Sequence, residues 1–217
     1  MMNKNLFITL ASAGILIIGL WYFFGNGSYT KKYPAPEGRG KNIIAFGDSL
    51  VEGVGASPGN NFVSLLSKKL GADIINAGFG GDTTASALDR LSQDVISRDP
   101  KIVVVLLGGN DAVRRIPKQE TFKNLEKIID RVQEKGAGVL LIGIQSGFFR
   151  DNYKKDFAAL ARKKGAWHVP DILDGIFAHP DLMDDAIHPN DKGYQIIANR
   201  LEPVLREMLT TYFGEFF

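Results

Sequence analysis

The sequence predicts an α/β fold, a three-layer α/β/α domain with about five parallel strands. Two observations carry that expectation. Short apolar runs alternate along the chain with longer stretches of helical spacing. The runs are rich in Ile and Val and lack the alternating polarity of a half-exposed sheet. Strands apolar on both sides must be covered on both faces, which a parallel sheet between two helical layers provides.

The elements follow in order. A strand over 43–46 is followed by a helix over 61–70, a strand over 74–76 by a helix over 84–98, and a strand over 102–107 by a helix over 119–135. A strand over 139–144 precedes a helix over 151–164, and a short strand over 167–169 precedes a helix over 191–211. The helical pattern is plainest in 119–135, where Phe122, Leu125, Ile128, Ile129 and Val132 share one face. Residues 42–217 thus read as one folded domain, with no internal repeat and no low-complexity segment.

Ahead of it, residues 6–24 (LFITLASAGILIIGLWYFF) carry no charge. As a helix they would extend about 28 Å, close to a bilayer's hydrocarbon thickness, with Trp21, Tyr22, Phe23 and Phe24 where an aromatic belt belongs. The run is longer than the core of an ordinary signal peptide, so residues 1–24 are expected to be an uncleaved membrane anchor. A signal cut near Gly25-Asn26-Gly27, releasing a secreted protein, is the alternative. Residues 25–41, rich in Gly, Pro and Lys, read as a linker. Lys31, Lys32, Arg39 and Lys41 favour the cytoplasmic side by the positive-inside tendency.

Composition excludes several classes. The chain has 217 residues, 26 Lys+Arg against 24 Asp+Glu, and no Cys. A net charge of +2 makes no electrostatic case for nucleic acid. Without Cys there is no disulfide, thiolate nucleophile, iron–sulfur cluster or cysteine-ligated zinc. The 23% charged and 10% aromatic residues belong to a folded chain, not a disordered one.

In open parallel sheets, ligands bind beyond the carboxyl ends of the strands. Gly47-Asp48-Ser49-Leu50 follows the first strand, Gly78-Phe79-Gly80-Gly81-Asp82-Thr83 the second, and Gly108-Gly109-Asn110-Asp111 the third. Asp185-Ala186-Ile187-His188-Pro189 precedes the last helix. Together these supply the parts for acyl transfer. Ser49 is a candidate nucleophile, and His188 the base it needs. Asp185, three residues before the histidine across a short turn, is placed to orient the imidazole. The N–H groups of Ser49 and Gly81 and the side-chain amide of Asn110 are candidate oxyanion donors.

The four blocks, in this order and at these separations, resemble those of the SGNH (GDSL-type) hydrolases, and the resemblance covers residues 42–210. It is strongest toward the bacterial thioesterase, arylesterase and lysophospholipase branch. It implies a flavodoxin-like sheet, no metal or other cofactor, and hydrolysis through an acyl-serine, with Ser49, Asp185 and His188 as triad and Ser49, Gly81 and Asn110 as oxyanion hole. Many members work outside the cytoplasm, so the domain is expected on the extracytoplasmic side despite the basic linker. The expected activity is hydrolysis of carboxylic esters, extending to thioesters or lysophospholipids. An envelope-glycan O-deacetylase or acyltransferase using the same triad is the alternative, and a non-catalytic binding module a more distant one. Phe148 and Phe149, in the loop after the fourth strand, and Ile187 are expected to touch substrate. No nucleic-acid or protein partner is indicated; the partners expected are a small-molecule or lipid ester and, through residues 6–24, a membrane.

Other residues read as structural. Asp48 is expected to support its loop and Asp111 to cap the helix after its own turn. His168 and His179 lack the context of His188. Asp185 is preferred over Asp184 on spacing. Lys154, Lys155, Arg162, Lys163 and Lys164 read as a solvated helix face. Gly78, Gly80 and Gly81 have neither the spacing nor the lysine of a phosphate cradle.

Overall fold

The computed structural model describes residues 40–145 and 153–214. The predicted span over 6–24, the linker as far as residue 39, and Phe148 and Phe149 lie outside the described residues. Among the described residues no helix is long and apolar enough to cross a membrane.

The strands are β1 (Asn42–Gly47), β2 (Ile74–Gly78), β3 (Pro100–Leu106), β4 (Gly138–Ile142) and β5 (Trp167–Val169). They form one sheet in the order β2-β1-β3-β4-β5, and every pairing is parallel. This is the doubly wound order in which the chain steps outward to β2, then crosses back over β1 to β3. The crevice for a ligand opens where that reversal occurs, beyond the carboxyl ends of β1 and β3.

The helices are α1 (Ser49–Glu52), α2 (Phe62–Leu70), α3 (Thr84–Asp94), α4 (Gly109–Val113), α5 (Lys118–Gln133), α6 (Tyr153–Lys164) and α7 (Asp191–Phe213). Alternate strand residues enter two separate cores. Ile43, Ala45, Ile102, Val104 and Leu106 pack with α2 and α7. Ile44, Phe46, Val103, Val105 and Leu141 pack with α3, α5 and α6. Both sets are buried, which is why the strand sequences show no polar alternation.

All five strands and the long helices fall where the sequence placed them, with two differences. The helix expected over 84–98 ends at Asp94 and continues as a 3-10 turn over Ile96–Arg98. Val95 leaves helical geometry (φ −127°, ψ −59°), and Asp99 takes a left-handed φ of +51° directly ahead of Pro100. A residue before proline is driven out of the helical region, so the chain must turn there. The second difference is the pair of short helices α1 and α4, each too brief to show a period. Lys163 and Lys164 are not simply solvated: they form ion pairs with Glu126 and Asp130 of α5.

His168 on β5 is structural, as expected. It is 2% exposed, its Nδ1–H donates to the Leu141 carbonyl at 2.9 Å, and its ring stacks on Phe157. Nε2 has no partner among the described residues. Burial lowers the imidazole pKa below its usual value. The unfolded chain therefore takes up a proton that the folded one resists, so this contribution to stability is present above about pH 6.5 and lost as pH falls through it. In urea denaturation, the stability advantage of wild type over His168→Asn should shrink as the pH is lowered from 6.5 to 5.5. A pH-independent difference would show that His168 does not remain neutral in the fold.

Candidate active site

Ser49 is the first residue of α1, immediately after β1. Asp48 is its N-cap, and Asp48 Oδ1 accepts from the Leu50 N–H at 3.0 Å. The structural role expected of Asp48 is therefore met. In a helix's first turn the backbone N–H groups have no acceptor within the helix, which leaves the Ser49 N–H free to act on a ligand.

His188 reaches Ser49 from the far end of the chain. The segment before α7 doubles back on itself, with Met183 bridging Pro189 and the Asp184 N–H donating to the His188 carbonyl at 2.9 Å. Asn190 caps α7 by accepting from the Lys192 and Gly193 N–H groups, and its amide donates to the carbonyls of Asp181 and Met183. Gly55 lies against this turn with φ +90°; a Cβ there would sit 2.5 Å from the Pro189 carbonyl oxygen and 3.2 Å from His188 Cβ. Glycine is required by both conformation and space.

Within that frame the Ser49 hydroxyl lies 3.0 Å from His188 Nε2, and His188 Nδ1 lies 2.8 Å from Asp185 Oδ2. An ionised carboxylate only accepts, so Nδ1 carries the proton and Nε2 is left to accept from the serine. The other oxygen of Asp185 accepts from the N–H groups of Ile187 and His188, at 2.8 and 2.7 Å. The hydrogen bond from the His188 side chain, with that from Ile187, holds the Asp185 carboxyl down at about 2. Asp185, not Asp184, is thus the residue that contacts the imidazole.

The loop after β2 passes alongside. Gly81 has a left-handed φ of +80°, and its carbonyl accepts from Arg114 at 2.8 Å. The side-chain amide of Asn110, on α4, donates to the Asp82 carbonyl at 2.9 Å. That bond uses one of its two N–H donors. Asp111 departs from expectation. It does not cap its own helix but is wholly buried, accepting from the Thr84 N–H at 2.8 Å and the Thr84 hydroxyl at 2.5 Å. It therefore satisfies the first turn of α3, which begins just after Gly81 and Asp82.

Ser49, Asn110 and His188 line one cleft with about 490 Å³ of free space, part of it open to solvent. Leu50, Val113, Ile144, Leu173, Phe177 and Ile187 form its apolar side. Of the three residues expected to touch substrate, Ile187 is on this wall and is 43% exposed. Leu50, Val113 and Ile144 follow strand ends and were recoverable from the same rule that picked out the polar blocks. Leu173 and Phe177 come from an irregular stretch after β5 that carries no periodic signal. Among the described residues no three His, Cys, Asp or Glu side chains group to hold a metal ion.

This constellation can be set beside known proteins. Residues 45–196 match the GDSL-like lipase/acylhydrolase family. The chain belongs to that family and is an ester hydrolase. The esterase TesA of Pseudomonas aeruginosa is 28% identical over 180 residues, spanning 78% of this chain and 90% of that protein. Thioesterase 1/protease 1/lysophospholipase L1 of Escherichia coli K12 is 30% identical over 175 residues, spanning 77% of this chain and 84% of that protein. A crystal structure of TesA has a TM-score of 0.73 at 29% identity, covering 78% of this chain and all (100%) of the other.

The hydrolase carries a second aspartate beside its serine in a very different state. Burial pushes the Asp48 carboxyl up to about 7, and Asp82 adds to the rise, while the Leu50 N–H and His188 oppose it. A folded-state pKa above the unfolded 3.8 means that stability from this group is full below pH 3.8 and lost as pH rises through 7. Asn caps a helix as well as Asp does and stays neutral. Asp48→Asn should therefore gain thermal stability over wild type by several degrees at pH 8.5, with the gap narrowing steadily toward pH 4. Equal melting temperatures across that range would mean that Asp48 is ionised in the fold at little cost.

Proposed function

We propose that this ester hydrolase is a serine esterase acting through Ser49, His188 and Asp185 on esters with an extended acyl chain. The observation that carries the reading is the continuous relay from Ser49 through His188 to Asp185, with contacts of 3.0 and 2.8 Å. As Ser49 Oγ bonds to the acyl carbon, its proton passes to His188 Nε2, and Asp185 stabilises the imidazolium formed. Negative charge moves to the carbonyl oxygen, where the N–H groups of Ser49 and Gly81 and the free N–H of the Asn110 amide receive it. The carbon–oxygen or carbon–sulfur bond to the leaving group then breaks, and His188 returns its proton to that group. Water repeats the sequence on the acyl-serine, releasing the acid and restoring the Ser49 hydroxyl.

The apolar wall of Leu50, Val113, Ile144, Leu173, Phe177 and Ile187 supports a hydrocarbon acyl group over a polar one. The names of the relatives, which include thioesterase and lysophospholipase, support thio- and lysophospholipid esters as substrates. Residues 6–24 anchor the enzyme in a membrane, with the domain on its outer side.

Purified full-length protein assayed on p-nitrophenyl esters from acetate to palmitate tests the chemistry. Ser49→Ala should lose about 10³-fold or more of kcat while melting like wild type. Turnover should peak at medium or long chains. Activity confined to acetate would instead favour a deacetylase, and turnover independent of Ser49 would reject the triad. Fractionation tests the anchor: full-length protein should sediment with membranes and yield its domain to protease added outside intact cells. A soluble or protected domain would refute that placement.

A further inference from the structure

Arg90, on α3, lies outside the cleft, yet its guanidinium joins the two loops that carry the backbone oxyanion donors. Its Nη2 donates to the Gly47 carbonyl at 2.9 Å, and its Nε donates to Asp82 Oδ2 at 2.6 Å. Gly47 closes β1 two residues before Ser49, and Asp82 directly follows Gly81. Nη1 is held by Asp94 at 2.9 Å, and the guanidinium carbon lies 4.5 Å from the centre of the Phe46 ring. The rest of Asp82 is equally fixed: Oδ1 accepts from the Ser86 hydroxyl at 2.8 Å and its carbonyl from Asn110 at 2.9 Å. The Gly47 carbonyl also accepts from the Phe79 N–H at 3.0 Å, a second tie between the same loops.

We infer that Arg90 is a positioning residue for the oxyanion hole, setting the spacing between the Ser49 and Gly81 N–H groups through Gly47 and Asp82. The inference rests on the assignment of those two N–H groups as donors in the proposed mechanism. An ordinary surface ion pair would contribute little and touch no catalytic group. This one is different in place and kind. Asp82 is 5% exposed, the guanidinium has three separate acceptors in fixed directions, and each acceptor but Asp94 lies within two residues of a proposed donor. Donors displaced by a fraction of an ångström stabilise the developing charge less while leaving ground-state binding almost unchanged. Lys would keep the charge but not the three-way geometry.

The test uses full-length Arg90→Gln, Arg90→Lys and Asp82→Asn, with active sites counted by fluorophosphonate labelling so that loss of folded enzyme does not count as loss of rate. With p-nitrophenyl butyrate, kcat per labelled site should fall about 10- to 100-fold in Arg90→Gln, with KM unchanged within about threefold. Arg90→Lys should fall between that variant and wild type, and Asp82→Asn should match Arg90→Gln. An alkyl boronic acid, which forms a tetrahedral adduct on the serine, should weaken by the same factor as kcat/KM, whereas the product carboxylic acid should bind as before. If Arg90→Gln does not fold, Arg90→Lys and Asp82→Asn decide by the same comparison. A per-site kcat within threefold of wild type would overturn the inference, as would equal weakening of the boronic acid and the product. Ser49→Ala separates the two levels: if it is inactive while Arg90→Gln is normal, only the positioning role fails, and if it is active the triad fails first.

Discussion

A single contact governs the architecture: Ser49, at the end of the first strand, meets His188, ahead of the last helix, 139 residues later. Closing so long a loop costs entropy that one hydrogen bond cannot offset. The burial of α7 does so. Ile197, Leu201, Val204, Leu205, Met208 and Leu209 run along the face of that helix turned to the sheet and α2, all 2% exposed or less. Packing alone would allow the helix to slide, and polar fasteners at its amino end prevent that. The Tyr194 hydroxyl, kept protonated by burial, donates to the Val54 carbonyl at 2.7 Å just beyond α1. Asp191 accepts from the Ser57 N–H and hydroxyl and from Asn60. The register between serine and histidine is thus fixed from the stretch of chain that directly follows α1.

The other half of the site is organised by buried acids. Asp48, Asp82 and Asp111 are each 5% exposed or less, and all three lie at the carboxyl end of the sheet. Burying a carboxylate costs several kcal/mol unless its oxygens are met, so each marks a place where the chain is constrained. Asp111 meets the start of α3 and also accepts from the Thr121 hydroxyl at 3.3 Å, drawing α3, α4 and α5 together. Asp82 meets Arg90 and Ser86. The loop carrying Gly81 is therefore bounded on one side by Asp82 and on the other by the left-handed φ of Gly81 itself.

Much of this was legible in the residues. The strands were visible because Ile and Val on both faces leave no other way to cover them, and the meeting of Ser49, Asn110 and His188 in one cleft because a parallel sheet gathers its strand ends on one rim. The link from Asp185 to His188 was legible because three residues span a turn. Asp111 was misread for an equally physical reason: its spacing to its own helix suggested a local cap, while its true partners, Thr84 and Thr121, are set by tertiary packing. The contacts of Arg90 were hidden in the same way. On α3 it shows only as a charge four residues from Asp94, and nothing local announces that Gly47, 43 residues earlier, lies under its guanidinium. Leu173 and Phe177 had no period to betray them.

Two aspartates at this site show how environment divides a single residue type into two ionisation states. Asp185 is half in water, with 49% of its side chain exposed, yet three N–H donors converge on it and hold its carboxyl near 2. It stays ionised throughout the neutral range and accepts from the imidazole Nδ1–H. Asp48 is buried, and the backbone donors on its side chain, Leu50 foremost, do not offset that burial, so its carboxyl sits near 7. Burial raises the one carboxyl and convergent N–H donors lower the other, so the cleft holds a weakly ionised aspartate beside the serine and a firmly ionised one on the exposed turn beside the ring.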